Sequence, residues 1–392
     1  MPLPVLHQYF NTGIDSWKKS YECVPCGINS KQQPVTTGNH TTYMRRCLQL
    51  AEMAKGHTSP NPMVGAVLIY NDRMIGEGYH HYYGAPHAEV NCLDNVAAAD
   101  KHLIPESTMY VSLEPCAHFG LTPPCATRLV TEGIKNVIIA NPDPFGKVNG
   151  KGIAILQEAG ASVTTGLLDM EGLWLNRRFF CAHTSKRPYI ILKWAQTTDG
   201  FIGTTDRQSV QISGPESMLL SHQWRTEEAA IMVGYTTALN DNPRLTARLH
   251  TGKQPLRIAL DRRLSLPHSH HLFNEDAATW IITEGEETIS GNVHYINMPF
   301  SDLLPALMSR LYDAKMLSLI VEGGAQLLNS FITSGLWDEA RVFTGKNSIG
   351  NGLSAPTLSN DLLVLDRSSG EDKLQVFLNK NNPYKYVTGM AL

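Results

Sequence analysis

The residues with the most definite chemistry are His87-Ala-Glu89, Pro115-Cys116 and Cys125. One imidazole and two thiolates form a donor set that suits Zn²⁺, and three protein ligands leave the fourth tetrahedral position to water, as in catalytic rather than structural centres. Glu89 stands two residues from His87 and is not itself a ligand, so it is free to shuttle a proton to and from that water. The chemistry this implies is hydrolytic deamination. Pro86 and Pro115 directly precede His87 and Cys116, which suits helix starts, where the positive dipole end favours a thiolate. Cys116 and Cys125 enclose eight residues, Ala-His-Phe-Gly-Leu-Thr-Pro-Pro, where the general deaminase pattern has two. The blander reading makes His87 a surface residue and the cysteines small core hydrophobes. Four features in register, separated by a strand-like segment, argue against it.

A softer set lies downstream. The apolar run Leu317–Val321 leads into Glu322-Gly323-Gly324 and a helical stretch from Ala325 to Ser334, whose free N–H groups would suit a phosphate or diphosphate. Gly-Gly after a strand is also a common plain turn. Asp241-Asn-Pro-Arg-Leu-Thr-Ala-Arg248 sets two arginines four apart, with Arg225 upstream on an expected helix. Guanidinium groups so placed grip phosphate. A solvated loop is the equal alternative.

These residues need elements to hold them. From Thr42 the apolar positions Met44, Cys47, Leu48, Ala51 and Ala54 recur at helical spacing, with Thr41 or Thr42 as N-cap and Gly56 as the stop. Residues 1–41 lack periodicity and read as a loose extension, either upstream sequence or a disordered arm. Apolar runs at Met63–Tyr70, Thr108–Leu113 and Asn136–Ala140 then alternate with helical stretches at His87–Ala99, Pro123–Glu132 and Gly152–Ala159, predicting an α/β layered domain over 42–184. The polar segment Thr184–Pro188 marks its end. A second α/β domain over 185–392 carries expected strands at Tyr189–Trp194, Ala229–Val233, Leu256–Leu260, Thr279–Thr283, Leu317–Val321 and Ala340–Phe343. Its expected helices lie near Pro215–Thr226, Asp302–Ala314 and Gly324–Ser334.

Taken together, Pro60-Asn-Pro-Met-Val-Gly65, Gly76-Glu-Gly-Tyr-His80, Pro86-His-Ala-Glu-Val90 and Leu113-Glu-Pro-Cys through Cys125 resemble the bifunctional deaminase and reductase family of riboflavin biosynthesis, whose own zinc motif has the eight-residue gap. Leu192-Lys-Trp-Ala-Gln-Thr-Thr-Asp-Gly200, Ser209-Val-Gln-Ile-Ser213, Asp241–Arg248 and Val321-Glu-Gly-Gly324 follow in the family's order, so the resemblance spans about 42–355. It implies a cytidine-deaminase-like three-layer domain followed by a dihydrofolate-reductase-like α/β domain. His87, Cys116 and Cys125 would bind Zn²⁺, Glu89 would be the catalytic acid and base, and Asn61 and His118 would lie beside the substrate. Ser209, Arg225, Leu245, Arg248 and Glu322 would contact the phosphorylated pyrimidine substrate in the reductase half, with Arg225 and Arg248 near its phosphate. Ala195, Gln211, Thr237, Asp241, Gly324 and Ala325 would line an NADPH site. The chain departs from the family at Leu121, usually basic, at Gln211, often aromatic, and at Ala195, glycine in some relatives. Lys at 121 is expected to tighten substrate binding. Removal of residues 1–43 is expected to spare both activities.

Composition bounds the alternatives. Lys and Arg number 33 against 36 acidic residues, and a net charge of −3 argues against a broad nucleic-acid face. A zinc deaminase acting on a nucleobase or nucleic acid, with a non-reducing accessory domain, is the runner-up, and a zinc-stabilised module that only holds nucleotide is a second rival. Seven cysteines do not form a disulfide framework in so long a chain, and no apolar run reaches the ~18 residues of a membrane span. The expectation is a cytoplasmic homo-oligomer with no nucleic-acid or membrane partner. Cys23-Val-Pro-Cys26 and His268-Ser-His-His271 are read as incidental.

Overall fold

The computed structural model describes residues 37–119, 123–146, 148–205 and 210–392; Leu121, Ser209 and the Cys23–Cys26 pair lie outside them. Among the described residues the strands form a five-stranded sheet, a ten-stranded sheet and a two-stranded ribbon.

Helix α1 (Thr37–Glu52) lays Met44, Cys47 and Leu50 over Val67 and Ile69 of β1 (Gly65–Tyr70). Alternate residues of that strand, Ala66 and Leu68, face the opposite way, because successive strand side chains leave opposite faces. Strand β1 runs antiparallel to both β2 (Arg73–Tyr79) and β3 (Thr108–Leu113). Parallel to β3 follow β4 (Asn136–Asn141) and β5 (Ser162–Thr165), giving the order β2-β1-β3-β4-β5. On the face of Ala66 and Leu68 pack Cys92 and Leu93 of α2 (Ala88–Asp94), Leu129 of α3 (Cys125–Thr131) and Leu156 of α4 (Lys151–Glu158). Helix α5 (Asp169–Leu175) joins α1 on the other face, and α6 (Arg177–Ser185) leads into the second half.

Three local expectations change. Helix α1 starts at Thr37, before Thr42, because its first turns are held from outside: the Asn39 amide donates to Asp72 Oδ1 at 3.0 Å, and His40 Nδ1 lies 2.5 Å from the Tyr110 hydroxyl. The helix expected to reach Ala99 stops at Asp94, where the Asn95 side chain turns to donate to the Glu77 carbonyl at 3.0 Å. Strand β2 escaped notice because its glycines have low strand propensity. They are there for α2: a Cβ on Gly78 would stand 2.4 Å from the Cys92 backbone nitrogen.

In the second half, β6 (Tyr189–Gln196), β7 (Phe201–Gly203), α7 (Pro215–Glu227), β8 (Ala230–Val233), α8 (Tyr235–Asp241), β9 (Leu256–Leu260), β10 (Thr279–Thr283), β11 (Thr288–Ser290), β12 (Val293–Asn297), α9 (Leu303–Asp313), β13 (Ser318–Glu322), α10 (Ala325–Ser334) and β14 (Glu339–Thr344) precede a ribbon strand β15 (Leu353–Ser354) and the hairpin β16 (Asp361–Ser369) and β17 (Asp372–Asn379). The large sheet has the order β11-β12-β10-β9-β8-β13-β6-β14-β17-β16, parallel from β12 to β14 and antiparallel at both margins. Its central strands read as unbroken apolar runs because both faces are covered. Leu307, Leu311, Leu328 and Phe331 of α9 and α10 cover one face, and Trp224 and Ala238 of α7 and α8 lie on the other.

The halves are tied by buried charge. Arg177 and Arg178 of α6 reach Glu339 and Glu228, and Arg341 pairs with both of those carboxylates. Burial pushes the Glu228 and Glu339 carboxyls up, but the surrounding arginines outweigh it and hold both at about 2. The chain end folds back as well: Trp174 Nε1 donates to the Ala391 carbonyl at 2.8 Å.

Candidate functional site

In the first half, three elements deliver the candidate metal ligands. His87 is the extended residue capping α2, Cys116 follows β3, and Cys125 opens α3. His87 Nδ1 lies 3.5 Å from Cys116 Sγ and 3.3 Å from Cys125 Sγ, and the three donor atoms all fall within 4.8 Å of one another. Cys125 also donates its backbone N–H to Cys116 Sγ at 3.2 Å. Contact with Cys125 and then His87 pulls the Cys116 thiol down toward thiolate against the opposing effect of burial. Glu89, in the first turn of α2, is 3% exposed. Burial pushes its carboxyl up to about 7, with His87 pulling the other way. A carboxyl poised near neutrality both accepts and returns a proton.

The expectation that Pro115 opens a helix at Cys116 is corrected: Cys116 sits in a loop, and the helix starts at Cys125 after Pro124. Glu114 sets that loop. Its buried carboxylate accepts backbone N–H groups of Asp143, Gly150, Gly152 and Ile153 at 2.9–3.3 Å, tying the turn before Cys116 to the loop leading into α4.

Asn61 reaches this centre through His80. His80 Nδ1 is 3.1 Å from the Pro86 carbonyl, which fixes the proton there, and Nε2 accepts from the Asn61 amide at 3.1 Å. Burial lowers the His80 pKa and keeps it neutral, and its ring stands edge-on to His87 at 5.3 Å. His118 Nδ1 is shielded from solvent with no partner among the described residues, a donor or acceptor left for a ligand.

In the second half, the end of β13 carries Glu322, which pairs with Arg225 of α7 at 2.9 Å and with Lys193 of β6 at 3.6 Å. Burial pushes Glu322 up, but Arg225 and Lys193 outweigh it and hold the carboxyl at about 2. Arg225 also donates to the Thr246 carbonyl at 3.1 Å, joining α7 to the Asp241–Arg248 loop. Next to Glu322, Gly323 has φ +78, and a Cβ there would lie 2.7 Å from the Thr237 methyl. Thr237, Gly324 and Ala325 therefore meet at the start of α10.

The family described as the cytidine and deoxycytidylate deaminase zinc-binding region matches residues 37–141, and the RibD C-terminal domain family matches 188–373. The riboflavin biosynthesis protein RibD of Aquifex aeolicus is 40% identical over 318 residues, covering 80% of this chain and 88% of its own length. The chain belongs to the RibD family. The Escherichia coli RibD is 32% identical over 328 residues, covering 79% of this chain and 88% of its own. A crystal structure from Thermotoga maritima, described as a diaminohydroxyphosphoribosylaminopyrimidine deaminase/5-amino-6-(5-phosphoribosylamino)uracil reductase, superposes with a TM-score of 0.79 at 32% identity, covering 87% of this chain and 99% of that one. As a member of this family, the protein is a bifunctional deaminase and reductase of riboflavin biosynthesis, with a cytidine-deaminase-like half followed by the RibD reductase half.

The structure joins His87, Glu89, Cys116 and Cys125 in one centre, with Asn61 attached through His80. It joins Arg225 with Glu322, and Thr237 with Gly324 and Ala325. Leu245 is buried at φ +53 in the loop tied to Arg225. Ala195 lies on β6 opposite Phe343, and Asp241 ends α8. Gln211 is not drawn to these groups; its amide turns to the Ser213 carbonyl at 3.5 Å and the Met218 sulfur at 3.7 Å. Lys193, His80 and Glu114 were missed as functional residues, although all three sit inside motifs the sequence displays. His268-Ser-His-His271 forms a turn: His270 Nδ1 meets the Ala238 carbonyl at 3.2 Å, and His271 opens a short 3-10 turn.

Proposed function

We propose that the protein hydrolytically deaminates a 2,5-diamino-6-(phosphoribosylamino)pyrimidinone in its first half and reduces the ribosyl chain of the product to ribityl with NADPH in its second, the division falling at residues 42–184 and 185–392. The observation that carries the reading is the convergence of one imidazole and two thiols within 4.8 Å, with a buried carboxyl two residues from the imidazole. One imidazole nitrogen and two sulfurs fit Zn²⁺. The Gly323-Gly324 turn, where a side chain would strike Thr237, fits a nucleotide brought close to backbone. When bound, zinc supplies the Lewis acidity that makes water nucleophilic at neutral pH, and NADPH supplies the hydride.

The chain's own groups do the rest. Glu89 takes a proton from the attacking water and returns it to the departing amino nitrogen, so that ammonia leaves and the water oxygen becomes the ring carbonyl, its second proton ending on the adjacent ring nitrogen. Asn61, its amide fixed by neutral His80, and His118 orient the pyrimidine. In the reductase, Arg225 and Arg248 hold the phosphate, with Glu322, Leu245 and Ser209 against the rest of the substrate. Ala195, Thr237, Asp241, Gly324 and Ala325 hold the cofactor, without Gln211, whose amide is turned to Ser213 and Met218. A cytoplasmic enzyme of small molecules without nucleic-acid or membrane partners completes the reading; a net charge of −3 supports the part that concerns nucleic acid, and among the described residues no helix is long and apolar enough to cross a membrane. Leu362 and Leu363, exposed on the margin strand β16, support a homo-oligomer.

The test is a coupled assay on purified protein, with ammonia release and NADPH oxidation followed separately beside a zinc determination. Ammonia with NADPH consumption and about one zinc per chain is the expected result. Ammonia without NADPH consumption would sink the reductase assignment. Neither would revive the nucleobase or nucleic-acid deaminase, which family membership does not favour.

A further inference from the structure

His222 has no role in the reading above, yet it stands within reach of the charges of Arg225, Arg248, Lys193 and Glu322. It lies one turn before Arg225 on α7, so the two share a helix face. Its side chain is 4% exposed. His222 Nδ1 accepts the backbone N–H of Leu249 at 3.4 Å, and Leu249 directly follows Arg248. Helix α7 thus grips the Leu245–Leu249 loop at two points, from Arg225 to the Thr246 carbonyl and from His222 to the Leu249 N–H. The loop needs holding: Leu245 is buried at φ +53, a left-handed conformation that a branched residue rarely adopts. Arg248 itself forms no ion pair among the described residues, so its direction depends on its backbone.

We propose that His222 is a positioning residue of the reductase, a neutral imidazole that accepts the Leu249 N–H and so aims Arg248 at the phosphate of the substrate. This deepens, and rests on, the reading of Arg225 and Arg248 as the phosphate grip. The charged groups facing the imidazole are Arg225 on its own helix, Arg248 on the loop, Lys193 on β6 and Glu322 on β13. Burial first, then Arg225 and Arg248, lower its pKa to about 4, so at neutral pH Nδ1 keeps the lone pair the tie requires. A proton there would abolish the acceptor.

Two variants separate the tie from simple packing. His222→Asn keeps an acceptor oxygen near the Nδ1 position; His222→Phe keeps ring volume and removes the acceptor. Steady-state reduction is measured with the phosphoribosylaminouracil substrate, and the deaminase turnover of the same sample reports folding. His222→Phe is expected to raise the KM for that substrate about fivefold to tenfold, the order expected for one hydrogen bond. Its kcat and NADPH KM should stay within about twofold of the parent, and His222→Asn should recover most of the substrate KM. An unchanged KM in His222→Phe, equal losses in both variants, or parallel loss of deaminase turnover would overturn the proposal. Arg248→Ala is the companion: if it leaves the substrate KM unchanged, the phosphate grip itself is wrong and the proposal fails with it. A raised KM in Arg248→Ala beside a normal one in His222→Phe refutes the tie alone.

Discussion

Glu89 and Cys116 acquire opposite tendencies from neighbours only a few ångströms away. Glu89 is pushed toward the protonated form because burial outweighs the attraction of His87. Cys116 is pulled toward thiolate because a backbone N–H, a second thiol and an imidazole converge on its sulfur. Glu89→Gln keeps the volume and removes the proton carrier, so it should fold and keep its zinc while deamination falls at least about a hundredfold. Ammonia release, with zinc content and NADPH oxidation as controls, checks this; a variant that unfolds or sheds zinc would instead favour a structural metal module. Gly323 is the matching residue of the reductase. Alanine there meets both a left-handed φ of +78 and the Thr237 side chain at 2.7 Å. Gly323→Ala should therefore raise the NADPH KM or abolish reduction while ammonia release continues, and an NADPH titration decides between an intact and a blocked turn.

At the scale of elements, α1 shows how tertiary contact extends a helix beyond its local signals. Its first turns are held by Asp72 and Tyr110 from elsewhere in the sheet layer, and the Tyr43 ring stands edge-on to Tyr110 at 5.3 Å. The expectation that residues 1–43 are dispensable is thus revised, since that cut would remove His40 and Tyr43. Chains beginning at Thr37 and at Met44 should differ: the shorter is expected to melt several degrees lower, consistent with about 1–2 kcal/mol lost from an edge and a hydrogen bond. Equal melting temperatures would mean that these contacts add nothing. The register of β2 makes the same point, because Gly78 reads as a weak strand former until α2 is seen to pack on its backbone.

Across the whole molecule, stability is coupled between the halves through Arg177, Arg178, Glu228, Glu339 and Arg341. Glu228 and Glu339 stand at about 2 in the folded protein against 4.5 for an ordinary glutamate, so the unfolded chain binds more protons in that window. Their contribution is complete above pH 4.5 and is lost as the pH falls from 4.5 through 2. Urea unfolding should show that decline in the parent and a shallower one in Glu339→Gln. At neutral pH that variant should be less stable by about 3–5 kcal/mol, because it leaves buried arginines uncompensated. A parent midpoint flat between pH 5 and about 3 would contradict the assignment.

The amino-acid sequence makes legible the candidate zinc centre with its neighbouring carboxyl and the succession of two α/β halves, because those signals are local: donor residues in fixed motifs, apolar runs, and helical spacing. It also displayed Lys193, Glu114 and His80 without revealing what they do. Their roles depend on which backbone groups and charges lie opposite, as with the four N–H groups around Glu114 or the carboxylate beside Lys193. Tertiary structure alone decided the starts and stops of α1 and α2, the C-terminal hairpin on the parallel sheet, and the arginine and glutamate contacts joining the halves. Each is an interaction between residues far apart in the chain, whose free energy exists only once packing has excluded water from between them.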